Sequence, residues 1–249
     1  MGLPMQEAPS PAVTPSTAES EGLVSGLLTR WLFREAQVAR NERILPGLHR
    51  IELSGTGLQG VQWHPGDKLQ LRMGSGLQTR TYTPLYWDAE QGRTAIVAHA
   101  LAMGPGSEWI RRASPGQPAA VFGPRRSLNL SALPAAKSVL VGDETAIGLA
   151  AAWQPAGTIL EVDGVGALQP LLGSLGIDAT LVPRQAAEHH HPLLTQAAIA
   201  AGGAADCHFV LVGRARTVQF MLRALRQEGV PARSISTKAY WADGKAGLD

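Results

Sequence analysis

The sequence predicts a mixed β and α/β fold, in which an N-terminal antiparallel β-barrel is followed by an α/β domain built on a parallel sheet. Two patterns predict this division. Between residues 31 and 122, short apolar runs of β type alternate with turns that contain Gly and Pro, as in a small antiparallel barrel. After Pro134, apolar runs alternate with helical stretches, which is typical of a parallel sheet covered by helices on both faces. We therefore expect a barrel domain at residues 23–132 and an α/β domain at residues 133–249.

The individual elements follow in chain order. Residues 1–22 contain four prolines among Ser, Thr and Glu, and they carry too few large apolar side chains to offset the entropy of ordering, so we expect a disordered tail. A short helix is expected to begin with Ser107 as its N-cap. The barrel strands are expected at Trp31–Arg40, Leu48–Ser54, Lys68–Met73, Arg80–Pro84, Thr94–Ala100 and Ala119–Phe122. The strands of the second domain are expected at Ser138–Val141, Thr158–Val162, Ala179–Val182, Cys207–Val212 and Ser234–Tyr240, and its helices at Glu144–Trp153, Pro192–Ala201 and Arg216–Gly229.

Composition excludes some classes of protein. The chain has 249 residues, and 22 Lys and Arg against 20 Asp and Glu leave a net charge of only +2, which argues against a nucleic-acid partner. Cys207 is the only cysteine, so an intramolecular disulfide is impossible and a reducing compartment fits. No leader-like segment or membrane-spanning apolar run stands out. We expect a cytoplasmic monomer with no membrane span.

The segment Arg80-Thr81-Tyr82-Thr83 closes one of the barrel strands. An arginine can bind a flavin phosphate with two hydrogen bonds, and Tyr82 can lie against the isoalloxazine ring or the ribityl chain. The backbone or hydroxyl of Thr83 can hydrogen-bond flavin N5, so Tyr82 and Thr83 are expected to position the flavin. The alternative is an ordinary strand with one exposed arginine and a core tyrosine.

The segment Gly104-Pro105-Gly106-Ser107 opens the short helix. Free N–H groups and the helix dipole at such a start favour a diphosphate, so Gly104, Gly106 and Ser107 are candidate flavin ligands. His99, on the strand before it, is a candidate for the flavin edge. The alternatives are a helix that merely starts after a Pro-Gly turn, and a structural histidine.

The turn Gly-Asp-Glu-Thr-Ala at residues 142–146 follows the first strand of the second domain. Gly142 permits close approach of a nucleotide diphosphate at the ligand edge of an open α/β sheet, so Gly142, Asp143 and Thr145 are candidate cofactor ligands. The segment is not a GxGxxG sequence, and Asp143 and Glu144 place negative charge where a phosphate would lie. Arg184 follows the strand Ala179–Val182, where an arginine can meet the 2′-phosphate of NADPH; the alternative is a solvated loop arginine.

Five segments of the chain form a recognisable set: residues 80–83, His99 to Gly123-Pro124, residues 142–146, Gln169-Pro170, and the ending Tyr240-Trp241 with Gly244-Lys245. This set resembles siderophore-interacting proteins, which are FAD-containing ferric-siderophore reductases on the ferredoxin-reductase plan. The resemblance extends from about Val24 to Asp249 and implies that Arg80, Tyr82 and Thr83 bind the flavin. It also implies that Gly106 and Ser107 bind the flavin diphosphate and that the second domain binds NADPH or NADH.

Three positions depart from the family pattern. Gly148 stands where many relatives have proline, a change expected to affect only the start of the helix. Arg214 stands where an acidic residue is common, which affects the expected nicotinamide contacts. Gln70 stands where relatives often have lysine, although Lys68 and Arg72 flank it on the same strand face and can supply the charge.

The resemblance implies that NAD(P)H reduces FAD and that FAD reduces siderophore-bound Fe(III) to Fe(II), which siderophore oxygens hold far less tightly. A ferric triscatecholate is a trianion, so we expect cations around it. One alternative is a general flavin reductase that donates electrons to a ferredoxin or an oxygenase, and another is a non-catalytic siderophore-binding carrier. The candidate substrate cations are Lys68, Arg72, Arg125, Arg126, Lys238 and Lys245, each of which can instead be a surface charge.

Residues 189–191 are three consecutive histidines. Three adjacent side chains cannot all face one ion from a strand or a helix, and His191 precedes Pro192 at a helix start. We therefore expect no metal site, the alternative being a metal held by some of these histidines.

Overall fold

A computed structural model describes residues 33–74, 78–100, 104–203 and 207–245. The described residues from Arg34 onward form one compact unit. The tail expected at residues 1–22 lies outside the described residues, as do Trp31 and Leu32 at the start of the first predicted strand.

The first sheet has seven antiparallel strands, which are β1 (Arg34–Leu45), β2 (Leu48–Ser54), β3 (Asp67–Arg72), β4 (Thr79–Tyr82), β5 (Pro84–Asp88), β6 (Arg93–His99) and β7 (Pro118–Arg126). Their order in the sheet is β4-β3-β7-β1-β2-β6-β5. On β3, Leu69 and Leu71 are fully buried, and they pack with Ile51 of β2 and Val121 of β7 in one hydrophobic core. This barrel-like sheet confirms the fold predicted for the first part of the chain.

Helix α1 (Pro105–Arg112) lies against this core through the fully buried Ile110. The side-chain amide of Asn41 donates to the carbonyl oxygens of Ile110 and Ala113, both at 2.8 Å, and so satisfies acceptors at the end of the helix. The N-cap of α1 is Gly104, with Pro105 at the first helical position, where the fixed φ of proline suits a helix start. The prediction that Ser107 is the N-cap is therefore wrong, and Ser107 lies within the first turn.

The second sheet has five parallel strands, which are β8 (Ser138–Asp143), β9 (Gly157–Val162), β10 (Thr180–Pro183), β11 (His208–Arg214) and β12 (Ile235–Trp241). Their order in the sheet is β10-β9-β8-β11-β12. The helices are α2 (Ile147–Trp153), α3 (Val165–Ser174), α4 (His191–Gly202) and α5 (Ala215–Gln227). This arrangement confirms the predicted fold class of the second part of the chain.

The two faces of the second sheet are covered differently. Leu140 and Val212 on one face pack with α2, α3 and residues of the first sheet that include Leu48 and Leu85. Val141 on the other face packs with α4 and α5. The core on the first face therefore joins both sheets, and the predicted division at residues 132 and 133 stays a prediction.

Some boundaries differ from the predictions. The sequence does not predict β5 as a separate element, because Thr83 alone separates it from β4 and no turn residue marks the break. Helix α3 is not predicted either because Gly166, Pro170 and Gly173 suggest a loop, yet Leu168 and Leu172 on one side of it are buried. Strand β7 continues to Arg126 rather than ending at Phe122, since it keeps pairing with β3.

No helix in the described part of the chain combines the length and the apolar character needed to cross a membrane.

Candidate functional site

Arg80 lies directly beside the start of α1. A Cβ atom built on Gly106 would come within 2.8 Å of Cγ and 3.3 Å of Nε of Arg80, so only glycine lets the arginine side chain lie this close. The guanidinium Nη1 donates to the carbonyl oxygen of Thr79 at 2.8 Å. A Cβ atom on Gly104 would meet none of the described residues within 4 Å. The structure therefore brings together the cation and the helix start that were predicted to bind a diphosphate.

Tyr82 follows on the same strand face as Arg80 and packs against the core of the first sheet. Burial raises the pKa of the Tyr82 hydroxyl above its ordinary value, and the positive charge of Arg80 only partly opposes this. Tyr82 is therefore a neutral aromatic side chain next to a cation at all physiological pH values. Thr81 points to the opposite face and is exposed.

Thr83 lies where the first sheet meets the second. Its hydroxyl hydrogen-bonds the hydroxyl of Tyr240 on β12. Its carbonyl oxygen lies against Gly148 of α2, where a Cβ atom would overlap with it. Burial, aided by the charge of Asp143 and opposed by the bond from Thr83, raises the pKa of Tyr240 to about 12. The residue expected to contact flavin N5 is thus held from the second sheet by Tyr240 and Gly148.

Asp143 ends β8 and is almost completely buried. One carboxylate oxygen accepts from the backbone N–H and the hydroxyl of Thr145. The other accepts at 2.8 Å from the backbone N–H of Arg214 and at 2.8 Å from the indole N–H of Trp241. Asp143 therefore connects the ends of β8, β11 and β12 by hydrogen bonds. The Asp143 carboxylate and the Thr145 hydroxyl are thus hydrogen-bonded within the protein.

Gly142 is also closely packed. A Cβ atom there would lie 2.6 Å from Cβ of Ala146 and 3.2 Å from the carbonyl oxygen of Val212. The close approach that this glycine permits is therefore made by the protein chain itself, and the contact between Gly142 and a nucleotide diphosphate stays a prediction.

Glu144 lies at the centre of an ion-pair cluster at the carboxyl edge of the second sheet. Its side chain is 5% exposed, accepts from the backbone N–H of Asp163 at 2.8 Å and from Nη2 of Arg184 at 3.0 Å. Arg184 also pairs through Nη1 with Asp163 at 2.7 Å. Nε2 of His99 on β6 lies 3.9 Å from the Glu144 carboxylate, so the cluster reaches the first sheet.

Arg184 is largely enclosed by this cluster, with a side chain that is 17% exposed. Burial by itself would lower its pKa, but the carboxylates of Glu144, Asp163 and Glu161 outweigh burial and raise it. Its Nε is buried without a hydrogen-bond partner among the described residues. The guanidinium that was expected to meet a 2′-phosphate is thus occupied by carboxylates.

The candidate cations of the first sheet lie on adjacent strands. Lys68 of β3 pairs in register with Arg125 of β7, and Arg125 and Arg126 are both exposed. Nη2 of Arg125 donates at 2.8 Å to the side-chain oxygen of Gln70, and its guanidinium lies 4.7 Å from the centre of the Phe122 ring. Arg125 and Arg126 belong to the last barrel strand rather than to a loop after it. Arg72 lies at the other end of β3.

Gln70 connects this group of strands. It is 6% exposed, and its amide nitrogen donates to the hydroxyl of Thr81 at 3.3 Å while its oxygen accepts from Arg125. A glutamine at this position therefore orients the Arg125 guanidinium, which a lysine at position 70 would repel.

Lys238 and Lys245 lie at the far edge of the second sheet. Lys238 pairs in register with Val212 and precedes Tyr240 by two residues, so it shares the sheet face that packs toward the first sheet. Lys245 is exposed beyond the end of β12. The structure places Lys238 on the side where the two sheets meet, and nothing in it brings Lys245 to the same place.

Arg214, one of the positions expected to depart from the family pattern, ends β11. It donates to the carboxylate of Asp243 at 2.7 and 3.0 Å and pairs with Glu188 at 3.1 Å, and its guanidinium lies 5.6 Å from the centre of the Trp241 ring. Burial by itself would lower the pKa of Arg214, but the carboxylates of Asp243 and Glu188 outweigh burial and raise this pKa. This charge is therefore balanced locally.

Two of the three consecutive histidines lie beside Glu161, and these three residues form a geometric candidate for a metal site. The Glu161 carboxylate is fully buried, with Nε2 of His190 at 2.7 Å and the Thr217 hydroxyl at 2.7 Å. Nδ1 of His190 accepts from the backbone N–H of Gln185 at 3.1 Å, which leaves the ring proton on Nε2. That proton points at Glu161 and occupies the nitrogen a metal would need. Burial lowers the pKa of the neighbouring His191.

Three of these features have no clear marker in the sequence. Gly148 and Tyr240 contact Thr83 although they lie 65 and 157 residues further along the chain. The Thr217 hydroxyl on α5 donates a hydrogen bond to the carboxylate of Glu161 on β9. Only Asp163, the first residue after β9, stands where the topology of the sheet would direct attention to it.

Two family models match the chain. The model described as "Siderophore-interacting FAD-binding domain" matches residues 69–128, which include Arg80 and Gly106. The model described as "Siderophore-interacting protein" matches residues 131–244, which contain the whole second sheet. Together these matches span more than half of the chain. No curated protein matches it.

Solved structures are similar over most of the chain. A siderophore utilization protein from T. fusca shares 25% identity with a TM-score of 0.69, covering 87% of this chain and 95% of that one. The siderophore-interacting protein SipS from Aeromonas hydrophila shares 22% identity with a TM-score of 0.68, covering 86% and 93%. A ferredoxin NADP+ reductase from Neisseria gonorrhoeae with bound FAD and NADP shares 16% identity with a TM-score of 0.66, covering 84% and 98%, which shows a common fold.

Proposed function

Because the chain belongs to the siderophore-interacting protein family, we propose that it is an FAD-dependent reductase that uses NAD(P)H to reduce siderophore-bound Fe(III) to Fe(II). The observation that carries the proposal is the contact of Arg80 with Gly106 at the start of α1, within the region that matches the FAD-binding model. A guanidinium beside free helix N–H groups suits a diphosphate. These residues therefore fit FAD.

The candidate residues of the first sheet and of α1 contact different parts of the cofactor. Arg80 and the first turn of α1, with Gly104, Gly106 and Ser107, bind the diphosphate. Tyr82 presents a neutral aromatic surface to the flavin, and Thr83 lies at the flavin edge under the control of Tyr240. FAD, when bound, converts the electron pair of a hydride into the single electrons that Fe(III) accepts.

The donor nucleotide binds at the carboxyl edge of the second sheet, which is the usual ligand edge of an open parallel sheet. The turn at residues 142–146, Asp163 and Arg184 all lie at this edge. His99 and Thr83 extend from the first sheet toward the same region through Glu144 and Tyr240. A nucleotide on this edge and a flavin on the first sheet can therefore approach each other.

The iron chelate is an anion and meets cations contributed by both sheets. Arg125 with Lys68 on the first sheet and Lys238 on the second are the main candidates, because Lys68 and Arg125 are partners on adjacent strands and Lys238 shares the sheet face of Val212. Arg72, Arg126 and Lys245 stay in the proposal as more distant contributors. The expected consequence is that an anionic chelate is held more weakly as ionic strength rises.

Purification and turnover test the proposal. The protein should copurify with or tightly bind FAD, and with NADH or NADPH it should release Fe(II) from a ferric catecholate to an Fe(II)-specific chelator. Turnover with a ferredoxin but with no ferric chelate would indicate instead a general flavin reductase. A protein that binds the chelate without binding FAD would be a carrier, and either result would reject the proposal.

A further inference from the structure

We propose that Asp163 selects NADH over NADPH by accepting hydrogen bonds from the hydroxyls of the adenosine ribose. This inference rests on the proposed function, since it assigns the donor of the same reductase.

The position of Asp163 in the second sheet supports this role. It directly follows β9, the neighbour of β8 in the sheet, and stands 20 residues after Asp143 at the end of β8. An acidic residue at this place binds the ribose 2′-hydroxyl in dinucleotide-binding sheets.

The carboxylate of Asp163 is accessible from solvent. The side chain of Asp163 is 63% exposed, whereas those of Arg184 and Glu144 are 17% and 5% exposed. A ribose that arrives from solvent therefore meets the Asp163 carboxylate first. Among the described residues Arg184 is the partner of this carboxylate, bound to one of its two oxygens, so a ribose hydroxyl can donate to the other.

The cluster formed by Glu144, Asp163 and Arg184 carries a net negative charge. Arg184 stands between two carboxylates, so the three side chains together carry a formal charge of about −1 at neutral pH. A 2′-phosphate would add further negative charge at the exposed carboxylate. The geometry of the cluster therefore opposes NADPH, which reverses the role first expected for Arg184: its guanidinium orients Asp163 and does not bind a phosphate.

The backbone next to Asp163 is not crowded by the described residues. Gly164 follows Asp163 and precedes α3, and a Cβ atom on it would meet none of the described residues within 4 Å. The same holds for a Cβ atom on Gly166, in the first turn of α3. The described part of the chain therefore leaves space beside the carboxylate at these two positions.

Ferricyanide reduction by the FAD-loaded protein provides the kinetic test, because it needs neither siderophore nor ferredoxin. The parent should show a kcat/KM for NADH at least tenfold above that for NADPH, since a hydrogen bond to a charged group has about this effect. Asp163→Asn should lower kcat/KM for NADH about tenfold and leave that for NADPH equal or higher. Calorimetric titration with NAD+ and NADP+ should show the same change in preference without turnover.

Asp178→Asn is the matched control. Asp178 is also exposed, but it precedes β10 and so lies at the amino ends of the strands, away from the carboxyl ends where Asp163 lies. This variant changes the net charge equally and should keep the parent's preference. Asp163→Glu, which keeps the carboxylate, should retain a preference for NADH, and thermal unfolding of each variant separates a folding defect from a binding defect.

A parent that uses NADPH as well as NADH, or an Asp163→Asn variant that loses both nucleotides equally, overturns the inference while the reductase proposal stands. A parent that neither nucleotide reduces overturns the inference and the nicotinamide donor together. Chemical reduction of the flavin by dithionite followed by a ferric catecholate then tests the remaining part of the proposed function by itself.

Discussion

Arg80 and Arg184 both occupy positions where an arginine is expected to bind a phosphate, yet their surroundings differ. Arg80 lies on the first sheet beside a glycine that leaves room for it at a helix start. Arg184 lies at the edge of the second sheet between Glu144 and Asp163. The charge of an arginine is therefore available to a ligand only where neighbouring carboxylates have not already paired with it.

Replacement of the buried partner should affect the second sheet most. Glu144→Ala removes the buried carboxylate that pairs directly with the Arg184 guanidinium and leaves the exposed Asp163 carboxylate as its direct ion-pair partner among the described residues, so the free energy of unfolding should fall by about 3–5 kcal/mol. Urea denaturation measures this change. Glu108→Ala removes the carboxylate of a surface pair with Arg112, in which the glutamate side chain is 53% exposed, and should cost about 1 kcal/mol or less. Equal losses in the two variants would show that the Glu144 cluster is not a buried network.

Replacement of Arg80 should affect the cofactor rather than the fold. Arg80→Ala removes a charge-assisted contact with the flavin diphosphate of about 1.5–3 kcal/mol, which corresponds to roughly ten- to a hundredfold weaker FAD binding. The dissociation constant for FAD, measured by titration of the apoprotein, reports it. Arg184→Ala should leave FAD affinity unchanged. If Arg80→Ala retains FAD as tightly as the parent, the assignment of Arg80 is wrong.

Gly148 tests the junction between the sheets. An alanine in a helix normally stabilises relative to glycine by roughly 1 kcal/mol, but a Cβ atom on Gly148 overlaps with the carbonyl oxygen of Thr83. Gly148→Ala should therefore destabilise by about 1–3 kcal/mol, as other overpacked substitutions do. Gly173→Ala in α3, where a Cβ atom meets nothing within 4 Å, is the control and should be neutral or stabilising. Thermal unfolding should show opposite signs for the two variants, and the same sign would argue against a close contact at Thr83.

Tyr240 should give the smallest effect. Tyr240→Phe removes one hydrogen bond with Thr83 and should cost about 1 kcal/mol at neutral pH. The folded state raises the pKa of Tyr240 from 10.0 to about 12, so its contribution to stability is complete below pH 10.0 and is lost as the pH rises to about 12. Unfolding measured across this range should show a smaller loss in Tyr240→Phe than in the parent. An identical pH profile would place the Tyr240 hydroxyl in solvent.

The fold and the proximity of Arg80 to the start of α1 follow from the sequence more readily than the surroundings of Arg184 and Asp143. Arg80 and Gly106 lie in short segments whose local chemistry already indicates a phosphate site, and the structure brings them into contact. Alternating patterns likewise predict both sheets. Helix α3 escapes prediction because its glycines and Pro170 resemble a loop, and only burial of Leu168 and Leu172 against the second sheet explains it.

The state of Arg184 is beyond the reach of local patterns. Its partners Glu144 and Asp163 lie 40 and 21 residues away and meet it only because β8, β9 and β10 are adjacent in the sheet. The same holds for Asp143, whose carboxylate was expected near a nucleotide but is held by Arg214 and Trp241. Tertiary pairing of charges decides which of them a ligand can use, and periodicity along the chain does not show this.

Single-turnover reduction of a ferric catecholate tests the central claim most directly. The FAD-loaded protein is reduced anaerobically, freed of excess reductant and mixed with the chelate in the presence of an Fe(II)-specific trap. We predict that flavin absorbance returns in step with the formation of two Fe(II) per FAD, because a hydride pair supplies two single electrons. Flavin that stays reduced in the presence of the chelate, with no Fe(II) trapped, would contradict the account.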